Sequence, residues 1–163
     1  MKSRKVSSLN PVVKNILFAL AVAVFGFILL NVAFLLDFLY QTLLDKILGL
    51  FISVDVNMRL YWYPPIKHLS YLALLWVGGW YIFRSKLHML LKAIYMTVPL
   101  AFSLATIGMF LYQWPIAAYV VGASFSLGVL YYLYRTKQPW LYYYTLVLVS
   151  LTMLMITIFG VEI

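Results

Sequence analysis

From residue 16 to residue 36 the chain runs 21 residues without a charge, and Asn31 is the only strongly polar side chain among them. An α-helix rises about 1.5 Å per residue, so such a run reaches across the roughly 30 Å hydrocarbon core of a bilayer. It is too long for the apolar core of a secretory signal, although Lys2, Arg4 and Lys5 precede it. The reading is therefore a retained first span, opened by Asn10-Pro11 as cap and first helical residue.

Four more apolar stretches follow. The expected spans are residues 14–37, 66–83, 88–112, 115–134 and 140–160, all in one transmembrane domain covering 1–163. A β-barrel would show shorter, alternating segments. The fold class is thus all-α: a polytopic integral membrane protein, a bundle of five transmembrane helices with an interfacial helix or loop after the first span. Composition agrees. Hydrophobic residues make up 66% and charged residues 10%, against about 25% charged in a soluble domain. This excludes an ordinary soluble enzyme, a disordered chain and a disulfide scaffold.

Five spans put the termini on opposite sides. With the N-terminus in the cytoplasm, that side collects Lys2, Arg4, Lys5, Lys14, Arg84, Lys86, Lys92, Arg135 and Lys137, and the outside only Lys46, Arg59 and Lys67. Excess Lys and Arg on cytoplasmic loops is the ordinary rule. The expected location is a bacterial or archaeal cytoplasmic membrane, with the C-terminus outside. The net charge of +8 is read as contact with anionic lipid headgroups on the cytoplasmic side, not with nucleic acid. Tyr and Trp gather near the span ends, as an aromatic belt does.

Only the connection over residues 38–65 has room for a feature of its own. Leu43, Leu44, Ile47, Leu48 and Phe51 recur at helical spacing. The preferred reading is a short helix lying on the outer surface over residues 40–51, and the alternative is a continuation of the first helix. The following residues alternate and end in Pro64-Pro65, which reads as an irregular loop.

Chemistry has few carriers here. Cysteine is absent, and there are two histidines and four acids, so no metal site or cofactor is expected. Asp37, Gln41 and Asp45 are spaced four apart and share a face if the helix continues. Asp37, Arg59 and His68 are the catalytic candidates: an acid, a phosphate-binding cation and a general base for headgroup chemistry. His68 and His88 fall at opposite ends of their spans, which excludes a shared metal or haem within one chain. In the third span His88, Lys92, Tyr95, Pro99, Ser103 and Thr106 form a polar stripe. In the fourth, Gly122/Ser126 and Ser124/Gly128 are small residues four apart, the spacing that lets helices approach closely.

Residues Trp62, Tyr63, Pro64 and Pro65, with five spans and abundant Trp and Tyr, bear a slight resemblance to the tryptophan-rich sensory (translocator) protein family. The likeness covers these four residues and composition. The family's third-span Trp and Asn pattern and its fifth-span pattern are missing, and the chain is not assigned to it. What the resemblance implies is a ligand type, porphyrins or sterol-like compounds. Ligand-binding candidates are Trp62, Tyr63, Trp76, Tyr95 and Ser103.

The function expected from these features is that of a non-catalytic membrane component: an accessory, assembly or transport subunit acting with a protein partner or as a homo-oligomer. A carrier or receptor for an apolar, aromatic or lipid ligand is the first alternative. An enzyme acting on lipid headgroups at the outer face is the second.

Overall fold

The computed structural model describes residues 10–51 and 63–159, with side chains over 10–47 and 65–158. Five helices follow one another: α1 Pro11–Phe51, α2 Tyr63–Arg84, α3 Met89–Phe110, α4 Pro115–Arg135 and α5 Trp140–Phe159. Among the described residues there is no strand. The N-terminal ends follow local chemistry. Asn10 Oδ1 accepts from the Val12 amide at 3.1 Å, and His88 Nδ1 accepts from the Leu90 amide at 3.2 Å, each satisfying a free first-turn N–H. Prolines stand in the first turns of α1, α2 and α4, where a missing N–H does no harm.

α3 is the axis of the bundle and touches all four other helices. Its residues Ala93, Val98, Leu100, Ala101 and Phe102 are buried. α1 runs parallel to it: Phe18 meets His88, Gly26 meets Thr97 and Phe34 meets Phe102. A Cβ on Gly26 would lie 2.7 Å from Thr97 Cγ2, so glycine here sets how closely the two helices approach. α5 is also parallel to α3, while α2 and α4 run the other way. The core divides in two. One part, around Val22, Leu100, Leu133, Leu141 and Leu146, joins α1, α3, α4 and α5. The other, Ala33, Tyr71, Val98 and Phe102, joins α1, α2 and α3.

The structure corrects the expected surface helix. Residues 40–51 are not a separate element; they are about three further turns of α1. The physical reasons are local and lateral. No Pro or Gly interrupts the chain between Gly26 and Gly49. Gln41 bonds back to Asp37 four residues earlier, and α2 binds this stretch through Tyr40–Ser70 at 3.0 Å and Asp45–Lys67 at 3.0 Å. At 41 residues, α1 is about 62 Å long and outruns α3 at both ends. α2 also starts at Tyr63, which leaves residues 52–62 of the expected loop outside the described residues.

Four helices, α1, α3, α4 and α5, are long and apolar enough to cross a membrane, as in an integral membrane protein. α2 has the length, but Lys67, His68, Ser70 and its tyrosines and tryptophans lower its hydropathy. α3 runs unbroken through Pro99.

Candidate functional site: a buried aspartate–histidine pair

Two spacings build the site. Asp37 and Gln41 lie one turn apart on α1, and His68 and Tyr71 one turn apart on α2. The antiparallel packing of α1 and α2 brings the two faces together over Phe102 of α3. His68 Nδ1 and Asp37 Oδ2 are 3.2 Å apart, and Gln41 Nε2 donates to the same Oδ2 at 2.9 Å. The imidazole stacks on the Phe102 ring, with centroids 5.6 Å apart and planes 17° from parallel. The Tyr71 hydroxyl donates to the Ala33 carbonyl at 3.0 Å and closes the pair off on the side away from Gln41.

Burial is nearly complete: Asp37 is 6% exposed and His68 4%. Yet among the described residues Asp37 Oδ1 and His68 Nε2 have no hydrogen-bond partner. A buried polar atom left unpaired costs about 1–3 kcal/mol, and more when charged. A carboxylate can only accept, whereas imidazole donates and accepts according to its tautomer. The geometry therefore holds an acid and a base in contact, shielded from solvent, with one spare valence on each.

The other residues singled out in the sequence fall elsewhere. Arg59 and Trp62 lie outside the described residues, as does the side chain of Tyr63. Trp76, Tyr95 and Ser103 do come together, on the seam between α2 and α3. Trp76 Nε1 donates to Ser103 Oγ at 3.2 Å, and the Tyr95 hydroxyl donates to the Leu75 carbonyl at 2.7 Å. The Gly78-Gly79 step leaves room for the Tyr95 ring; a Cβ on Gly78 would be 2.9 Å from its hydroxyl. The polar atoms of all three are thus taken up in holding two helices together. The remaining hydroxyls of the α3 stripe bond to their own helix, Ser103 to the Pro99 carbonyl and Thr106 to the Phe102 carbonyl.

His88 is far from the pair. It caps α3 fourteen residues before Phe102, about 21 Å along the axis. Lys92 donates to the Phe83 and Ser85 carbonyls at 2.8 and 2.7 Å and so satisfies the end of α2. Asp45 and Lys67 form a partly exposed ion pair beside the site. Among the described residues no three His, Asp or Glu side chains cluster as metal ligands do. An apolar cleft of about 120 Å³ between α1, α3 and α5 is lined by Gly26, Leu30, Thr97, Ala101, Val149 and Met153. Small-molecule sites are usually about 300–1,000 Å³.

The sequence pointed to Asp37 and His68 as an acid and a base at the same outer face, but not to their direct contact, nor to Phe102 and Tyr71. Tyr71 carried a signal, its spacing of three from His68. Phe102 carried none, being one apolar residue among many in α3. Comparison with known protein families, curated proteins and solved structures finds no match to this chain.

Proposed function

We propose that the chain is a five-crossing membrane component that acts beside another membrane protein, as an accessory, assembly or transport subunit. The observation that carries this is the outer face of α4. Only Leu133 of that helix is buried. Ser124 and Gly128, four residues apart, are exposed, and a Cβ on Gly128 would meet nothing within 4 Å. Lipid gives a helix no hydrophobic reason to associate, so small residues at this spacing favour close approach of a further helix. The occupant we assign to this face is a transmembrane helix of the partner.

In this reading α2 is the fifth crossing, with His68 and Tyr71 sheltered by α1 and α3. The described bases Lys14, Arg84, Lys86, Lys92, Arg135 and Lys137 lie at or near one end of the bundle, and Lys46 and Lys67 at the other. That asymmetry supports a cytoplasmic N-terminus. Exposed Tyr131, Tyr132, Tyr134 and Trp140 lie at the base-rich end, as residues at a headgroup boundary do.

The chain lacks cysteine, so single introduced cysteines report cleanly. Gly128→Cys in native membranes is expected to cross-link to a second polypeptide, and Val147→Cys, on the exposed side of α5, is not. Native mass spectrometry after gentle extraction should then show that polypeptide at fixed stoichiometry. A chain that emerges alone or as a homo-oligomer, or carries a distinct small molecule, overturns the reading. For topology, cysteine at Asp55 should react with an impermeant thiol reagent added outside, and cysteine at Thr136 should not; the reverse pattern inverts the orientation.

A further inference from the structure

We infer that Asp37 and His68 together bind one exchangeable proton, and that this proton sets the charge of the seam between α1, α2 and α3. The inference uses the membrane setting but no partner, so the cross-linking result leaves it untouched.

Its basis is the pair of shielded, unpartnered atoms. With His68 neutral and its Nδ1–H donating to Asp37 Oδ2, the pair carries one net negative charge, and Oδ1 and Nε2 are both bare acceptors. A proton added at Nε2 makes an imidazolium. Passing the Nδ1 proton across the 3.2 Å contact to Oδ2 then leaves a neutral carboxyl and a neutral imidazole that keeps its Nε2–H. One proton enters, none leaves, and no electrons move. The neutral state is the favoured product, because an imidazolium Nε2–H and a carboxylate Oδ1 would otherwise both be buried, charged and unpaired.

Among the described residues the surroundings supply no other charge to do this. From α1, Gln41 is an uncharged donor to Oδ2, the Tyr40 hydroxyl is bonded to Ser70, and Asp45 lies two turns on. From α2, Lys67 donates to both oxygens of Asp45 at 3.0 Å, and Tyr71 donates its hydroxyl proton to Ala33. α3 presents Phe102 to the imidazole, with Val98 in the same part of the core, and neither titrates. Among the described residues α4 and α5 contribute nothing to this part of the core. A group whose charge changes within the membrane is how a protein there responds to a proton gradient.

Infrared difference spectroscopy on the full chain in lipid nanodiscs tests this. Aspartate occurs only at positions 37, 45 and 55. A chain carrying Asp45→Asn and Asp55→Asn, with Lys67→Gln to remove the ammonium that Asp45 neutralises, and grown on ¹³C-aspartate therefore holds one labelled carboxyl, with the pair itself unaltered. Acidification from about pH 8 to about pH 5 should raise one isotope-shifted carboxylic C=O band. Over the same interval ¹⁵N spectra should show Nε2 of His68 gaining a proton, with its resonance identified by loss in His68→Gln and against the capping His88. Asp37→Asn should abolish the band. No labelled band, a band that survives Asp37→Asn, or a His68 Nε2 that stays unprotonated at the acidic end would each overturn the inference. The first of these readings requires no substitution in the pair.

Discussion

α2 and α4 are the two helices that run against the rest of the bundle, and they are held in opposite ways. α2 is the less apolar, yet polar bonds join it to both neighbours: His68 to Asp37, Tyr71 to Ala33, Ser70 to Tyr40, Trp76 to Ser103 and Leu75 to Tyr95. α4 is apolar enough to cross a membrane but, among the described residues, rests on α5 through one side-chain bond, Ser126–Ser150 at 3.1 Å, and approaches α3 at Gly122, where a Cβ would lie 3.7 Å from Leu104 Cδ2. Apolar content decides whether a helix can enter lipid. It does not decide what the helix packs on, because lipid tails are as apolar as the neighbours. Specific bonds and close backbone approach decide that, and in this chain they are concentrated on α1, α2 and α3.

The strongest way to break this contrast is His68→Ala. It leaves the Asp37 carboxylate buried beside Gln41 alone, and removing one partner of a buried ionisable pair costs about 3–5 kcal/mol. The expected result is a large fall in the thermal midpoint in detergent, read by circular dichroism; an unchanged midpoint would mean that α2 does not depend on the pair. Next is one substitution made in the two regions. Gly26→Ala puts a methyl 2.7 Å from Thr97 Cγ2, and overpacking of this kind costs about 1–3 kcal/mol. Gly128→Ala meets open space and should leave the midpoint of the isolated chain unchanged. Equal effects would erase the distinction between the regions. Smallest are the single bonds. Trp76→Phe and Ser126→Ala each remove one interhelical hydrogen bond, at about 0.6 kcal/mol apiece. Proteolysis should separate them: loss of the Ser126 bond exposes α4 ahead of the others, whereas loss of the Trp76 bond loosens α2.

The expected spans coincide closely with α3, α4 and α5 because those helices are bounded by signals that act locally. Pro115 opens α4, and Trp140 follows the turn containing Lys137, whose φ is 49°. The far end of α1 was not legible in the same way. The apolar spacing of Leu43, Ile47 and Phe51 fits a surface helix as well as a continued one. Asp37 was visible as an acid at the end of an apolar run, and His68 as a base near the start of another. Trp76, Tyr95 and Ser103 were legible as a group of amphipathic residues, but their use as bonds between α2 and α3 depends on the register of two helices.

What the sequence determined by itself is the helical, membrane-suited character of the chain. Backbone groups in lipid must bond within their own segment, and four long apolar runs can do so only as helices. It also determined the uneven distribution of bases along the chain, since that is a matter of order alone. Only the tertiary structure decided that α1 continues past Asp37 as one helix, because that depends on Ser70 and Lys67 of α2 meeting Tyr40 and Asp45. It also decided that Asp37 and His68, 31 residues apart, form one buried pair. Their contact comes from the antiparallel register of α1 and α2 over Phe102, which no spacing within either helix encodes.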